Sequence, residues 1–461
     1  MATKKGRNRP SKAAKAAGDA ADSTRTSSPI DEMLLAALER GEDSFETGRF
    51  LVTFKEGAAD AGLQSLGMQG MRVADARDFA EQAVALDTVG DADAVVFPEI
   101  NVALVSGGAA EARSMRVQAE TAADDPVESI DPEHFVFAEG TPGEFLRGLA
   151  EESESPNPRE YLRGFMRAAE VIARDLRLTA GPALEDVQEE AQVLGATWGL
   201  NACRVPPSIR SGAGIKVAVL DTGMDLGHPD FTGRLPIAQT RSFVGQPVQD
   251  LNGHGTHVTG TSTGPKAPAG TTPRYGIGFR TSIFVGKVLT NSGTSVGGSV
   301  LAGMNWAIAN RCQVINMSLG AQIGVQPAYT NAGQAALNNG LLMIAAAGNA
   351  ASFTGAPANS PTIMSVASLD PTLVPSSFSN FGKVEIAAPG RDIFSSWPRP
   401  IRYRIISGTS MACPHVSGCA ALWAETSPTL RGMALWNRLR ATARPLPFPA
   451  SRVGRGLVQA P

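Results

Sequence analysis

Cysteine is scarce in this chain: four among 461 residues, Cys203, Cys312, Cys413 and Cys419. So few thiols in so long a sequence do not make a disulfide framework. Cys413 and Cys419, six apart on one predicted helix, face different sides of it. Long apolar runs are missing as well. No stretch approaches the ~18 consecutive apolar residues of a membrane span, and no apolar core follows the lysines near the start, so no standard secretory signal peptide is visible. These absences favour a reduced, cytoplasmic setting, with export by a non-standard route left open. Net charge is small, −3 at pH 7, which argues against a chain that as a whole binds nucleic acid or an anionic membrane. What is present is a globular balance, 43% hydrophobic and 18% charged residues, at a length suited to two or three domains.

The opening stretch departs from that balance. "MATKKGRNRPSKAAKAAGDAADSTRTSSP" is basic, then rich in Ala, Ser and Thr, with no apolar period. Residues 1–46 are therefore expected to form a disordered arm, with a short helix available to "DEMLLAALER" (31–40). Residues 47–138 read as strand (49–55), helix (58–68), a strand pair or one bent strand (94–107), helix (109–123) and strand (127–137). That βαββαβ order suits a small α+β, ferredoxin-like sandwich with helices on one face. Residues 139–197 read as a linker rich in Pro, Gly and acids, carrying an amphipathic helix over 159–178. From 198 to 461, apolar runs at 215–220, 283–289, 313–318 and 341–347 alternate with helical segments such as 299–310 and 412–425. Near-continuous apolar strands between helices imply an α/β region, a parallel sheet covered on both faces. Chemistry in such sheets gathers at the carboxyl ends of the strands.

One strand end presents Asp221 in "VAVLDTGMDLGHPDF". Directly after four apolar residues a carboxylate is costly to bury unless paired, although Asp-Thr-Gly also forms ordinary turns. "DLNGHGTHVTGTSTG" places His254 and His257 among small residues. Two histidines three apart suggest a metal only with a third ligand or an HExxH pattern, and neither is visible. "IAAAGNA" presents Asn349, and "SGTSMACPHVSG" places Ser410 just before an apolar helical run. Each has a plain turn or cap reading. Together they supply what acyl transfer needs. A serine hydroxyl requires a general base, the base an orienting carboxylate, and the developing oxyanion a donor.

These four segments, in the order Asp, His, Ser, closely resemble the signature segments of the subtilisin-like serine proteases. "NMSLG", "FSNFGKVEIAAPG" and "GRGLVQA" add secondary matches. The resemblance covers residues 198–461 and implies the family's parallel-sheet fold. It implies Ser410 as nucleophile, His254 as acid and base, Asp221 as its orienter, and Asn349 with the Ser410 N–H as oxyanion hole. His257 and His415 would serve packing. Ser318, Leu319, Gly320, Ala346, Ala347 and Gly348 would line the main specificity pocket, and Gly293, Thr294 and Ser295 would pair with extended substrate. The βαββαβ unit resembles the propeptide inhibitor domain of such proteases, so the chain's own N-terminal domain joins polypeptide substrates among the expected partners. A cut is expected within 138–158.

The pattern also departs from the family. The junction 139–197 is long. The loop 263–276 holds no carboxylate or asparagine, so calcium is not supported beyond Asp230, which matches one family ligand; no cofactor or metal is expected. Cys413 stands where Ser or Thr is usual and reads as a small buried side chain. The loop 355–361 bordering the pocket is short, and apolar or aromatic residues are expected before the cut. A latent peptide-binding protein and an acyl-enzyme peptide transferase are the competing readings.

Overall fold

The computed structural model describes residues 29–40, 45–86, 89–90, 92–106, 125–138, 195–270 and 272–461. The helices expected over 109–123 and 159–178 and nearly all of the linker lie outside the described residues.

The N-terminal region runs α1 (Pro29–Arg40), β1 (Glu46–Phe54), α2 (Ala59–Met68), β2 (Val73–Asp75), β3 (Ala94–Phe97), β4 (Val102–Val105) and β5 (Val127–Phe137). Its strands lie in the order β2-β3-β4-β1-β5. The apolar run at 94–107 is two antiparallel strands, with Ala94 opposite Val105. Pro98, which lacks an N–H, opens the turn between them, and Asn101 closes it in the left-handed region at φ 54°. Strand alternation then sorts the side chains. Val52, Phe54 and Val96 pack with Leu66 of α2, while Leu51, Val95, Phe97 and Leu104 face away from it into a second core.

The C-terminal region contributes β6 (Lys216–Asp221), β7 (Thr240–Ser242), α3 (His254–Thr263), β8 (Ser282–Lys287), β9 (Thr294–Val296), α4 (Gly297–Ala309) and β10 (Val314–Met317). It continues with α5 (Pro327–Asn338), β11 (Leu342–Ala346), β12 (Met364–Leu369), β13 (Ile386–Pro389), β14 (Ile393–Ser396), β15 (Tyr403–Ile406), α6 (Thr409–Thr426) and α7 (Gly432–Thr442). Seven strands form one sheet, β13-β12-β11-β10-β6-β8-β7, paired parallel throughout. This is the α/β architecture expected, with β12, β13 and the short β7 added to the four apolar runs. One face is filled by α4 and α5, with Trp306, Met304 and Ala332 in its core. The other is filled by α3, α6 and α7 through Val258, Val416 and Leu435.

The two regions share a core. Val300, Leu301 and Tyr329 of α4 and α5 cluster with Leu51, Val95, Phe97 and Leu104 of the N-terminal sheet. β5 then leaves its own sheet and pairs with β9. Among the described residues no helix is long and apolar enough to cross a membrane.

Candidate active site

Asp221 ends β6, where the sheet's carboxyl edge opens, and is fully buried. Its Oδ1 lies 2.7 Å from His254 Nδ1 and accepts the Thr222 N–H at 2.7 Å. That contact assigns the Nδ1–H tautomer and leaves Nε2 as the basic nitrogen. His254 is set by its helix start. Gly253 sits at φ +106°, and a Cβ there would lie 2.3 Å from the Trp397 ring, so only glycine fits. Asp250 ties this start to β6. One of its oxygens accepts from Thr222 Oγ1 (3.0 Å) and Gly253 N (2.9 Å), the other from Thr256 N (2.9 Å) and Oγ1 (2.7 Å). A carboxylate beside a helix N-terminus is also favoured by the helix dipole.

His257, three residues on, is unavailable for chemistry. Its Nε2 contacts the Ile393 carbonyl at 2.9 Å, and burial lowers its pKa to about 3. His415 is held by the Met411 carbonyl at 2.9 Å, and burial lowers its pKa to about 4.

Ser410 opens α6. Pro414 sits inside that helix and lacks the N–H that would bond the Ser410 carbonyl four residues back. Ser318 Oγ fills the vacancy, donating to Ser410 O at 2.8 Å. The pocket wall is thereby fastened to the serine. Asn349 Oδ1 accepts from Thr409 N (2.8 Å) and Oγ1 (2.9 Å), which turns its amide Nδ2 away from Thr409. Leu319, Gly320, Ala346, Ala347, Gly348, Ala356 and Asn380 line the hollow beside Ser410 and Asn349, and none of its lining residues carries a charge. Cys413 is fully buried beneath, its Sγ 3.4 Å from the Ile344 carbonyl, and burial pushes the thiol up to about 12.

The cleft is filled by this chain. β5 pairs antiparallel with β9, Phe135 opposite Val296 and Phe137 opposite Thr294. On its other edge Phe137 N donates to Gly320 O (2.9 Å), and Phe137 O accepts in return from Gly320 N (3.0 Å). Ala138 N donates to Gly293 O at 2.9 Å. The Ser410 hydroxyl is directed at the Ala138 carbonyl (3.1 Å) and at the Ser318 carbonyl (3.3 Å). Gly293, Thr294, Ser295 and Gly320 are therefore brought to one extended strand, with Ser318 and Ala138 at the serine.

Sequence reading missed several members. Asn380 organises the pocket wall, with Oδ1 accepting from Ala350 N (2.9 Å) and Ser352 N (3.0 Å) and Nδ2 donating to Ala347 O (3.1 Å). Its signal was "FSNFGK", a quoted match to which no role was given. Glu133 is fully buried, ion-paired to Arg49 at 2.7 Å and accepting from Gly298 N at 2.6 Å, at the start of α4. Asp230, named from the sequence only as a match to one family calcium ligand, is occupied by two phenols, its carboxylate accepting from Tyr275 OH (2.6 Å) and Tyr403 OH (3.0 Å).

The Subtilase family profile matches residues 212–456. Subtilisin DY of Bacillus licheniformis is 37% identical over 267 residues, covering 56% of this chain and 94% of that protein. An alkaline protease of Alkalihalobacillus alcalophilus is 36% identical over 296 residues, 61% of this chain and 74% of that protein. A crystal structure of a cold adapted subtilisin-like serine proteinase aligns at 33% identity with a TM-score of 0.49, covering 57% of this chain and 97% of that one.

Proposed function

This chain belongs to the subtilase family and is a serine endopeptidase acting on polypeptides, and from that premise we propose that Ser410, His254 and Asp221 are its triad and residues 47–138 its internal inhibitor. Ser410 Oγ attacks the carbonyl carbon of the scissile bond while His254 Nε2 takes its proton, with Asp221 holding the imidazolium that forms. The tetrahedral oxyanion is met by Asn349 Nδ2 and the Ser410 N–H. Collapse expels the amine, which takes the proton from His254, and water then resolves the acyl-enzyme by the same route. The uncharged hollow lined by Ala346, Ala347, Gly348 and Ala356 suits an apolar or aromatic side chain before the cut.

The observation that carries this reading is the end of β5, hydrogen-bonded on both edges in the cleft with the Ala138 carbonyl on Ser410 Oγ. A segment of the chain seated on Ser410 keeps other polypeptides out of the cleft, which fits an inhibited precursor. Glu133, buried in the joint between the regions, adds a charge-assisted anchor for the inhibitor. The test is intact mass over time for the chain and its Ser410→Ala variant. Wild type is expected to split between residues 137 and 198 and to label with a serine-directed fluorophosphonate, the variant to do neither. A variant that splits at the same rate would overturn the assignment of Ser410.

A further inference from the structure

Asp31, in the first turn of α1, is only 3% exposed. A carboxylate that buried needs partners, and it finds them more than 250 residues away. One of its oxygens accepts the hydroxyls of Thr290 (2.8 Å), Thr294 (2.7 Å) and Ser292. A carboxylate only accepts, so the three hydroxyl protons converge on one point. The three are grouped by their own turn. Thr290 Oγ1 lies 2.7 Å from Ser292 Oγ and 3.0 Å from Thr294 Oγ1, and Gly293 at φ +83° reverses the chain between them. Behind the turn, buried Lys287 is held by Asn291 Oδ1 at 2.8 Å, a cation that favours an anion at the hydroxyls.

This turn runs directly into the strand that pairs with β5. Phe137 stands opposite Thr294 in the antiparallel register, so the two side chains share one face, at the cross-strand distance of about 5 Å. The same face carries α1, whose Ile30 and Leu34 cluster with Phe135, Phe137 and Val296. Any extended polypeptide that replaces β5 therefore presents one side chain beside the three hydroxyls.

We propose that Thr290, Ser292 and Thr294 form a carboxylate-binding subsite of the protease, filled from within by Asp31 in the precursor. In the processed enzyme it is filled by an aspartate or glutamate of the substrate, at the position Phe137 takes. The proposal rests on reading β5 as a substrate-like strand. α1 then does two things: it covers the outward face of the strand in the cleft, and it occupies the subsite that would otherwise draw acidic substrates. The charge-assisted hydrogen bonds, not apolar contact, set the preference.

The test uses the self-processed enzyme. Matched peptides carry Asp or Asn at the second residue before the cut and, separately, at the third. The expected result is a preference for Asp of about tenfold in kcat/KM at one of the two positions, expressed mainly in KM because the contact is made before chemistry. That ratio falls toward one in the Thr290→Val/Ser292→Ala enzyme. Equal rates for Asp and Asn at both positions, or a preference that survives loss of the two hydroxyls, overturns the subsite. The wild-type peptide pairs decide the matter even where the variant fails to fold. Equal rates from an enzyme that has processed itself overturn the subsite and leave the strand reading standing. A chain that neither processes itself nor cuts either peptide overturns both.

Discussion

The sheet of residues 195–461 is covered by helices of its own region on both faces, α4 and α5 on one, α3, α6 and α7 on the other. The sheet of β1 to β5 has α2 on one face, and its other face is buried against α4 and α5 of its neighbour. One region therefore closes its own core, while the other borrows part of its burial. Removing the N-terminal region uncovers the outer sides of α4 and α5 but breaks neither face of the parallel sheet. Removing the C-terminal region uncovers the face of the smaller sheet that packs on α4 and α5. That asymmetry is what a discardable inhibitor requires, since the part that persists must not depend on the part that is lost.

The comparison breaks first at the serine. Ser410→Ala is expected to lower kcat by about 10⁶-fold, the size known for nucleophile loss in this family, and to leave both regions joined in one uncut chain. Peptide turnover by the variant beyond a hundredth of wild type would show that the cleft has another nucleophile.

Acid should act on the self-closed region. Burial holds His257 at about 3 and His415 at about 4, and both lie in the C-terminal part. Unfolded, each titrates near 6.5, so between pH 6.5 and 4 the unfolded chain binds protons that the fold refuses. Stability therefore falls as pH falls, by about 3 kcal/mol for each histidine by pH 4. Urea unfolding of the Ser410→Ala chain across that range measures the slope. A flat profile would mean the imidazoles are not held neutral.

Asn349→Ala tests the chemistry without disturbing the joint. Loss of its amide is expected to reduce kcat by about 10²–10³ with KM little changed, a magnitude drawn from this same family. A change confined to KM would move Asn349 from the transition state to ground-state binding.

The smallest effect sharpens the comparison at the interface. Glu133→Ala leaves Arg49 and the Gly298 N–H without their shared carboxylate. The expected cost is about 2 kcal/mol in the hold of the N-terminal region, roughly a thirtyfold weaker inhibition, read as a shorter lag before peptidase activity. An unchanged lag would put the hold elsewhere, in the shared apolar core or in α1.

How far the sequence could be read follows from the range of each interaction. Strands β6, β8, β10 and β11 were legible because fully buried strands are continuous apolar runs. β12 and β13 were not, because "MSVASL" and "IAAP" carry serine or stop after four residues. Asp221, Asn349 and Ser410 stood out because acyl transfer restricts the residue types and small neighbours that each position accepts. His254 and His257 were equivalent by spacing alone. Resemblance separated them, and the structure gives the reason: one reaches Asp221, while the other is spent on the Ile393 carbonyl.

The sequence by itself thus determined the parallel sheet of the C-terminal region and, through its resemblance to the subtilases, the serine-protease chemistry and the order of the proposed triad. The sheet is a property of local period, and the chemistry one of short motifs shared with a family. Tertiary structure alone decided that Ala138 rests on Ser410, that Ser318 supplies the hydrogen bond Pro414 withholds, and that Asp31 meets three hydroxyls. The partners in these contacts stand roughly 90 to 270 positions apart in the chain. The packing of α6 on β10, the register of β5 against β9 and the seating of α1 bring them within bonding distance, and no short pattern encodes any of the three.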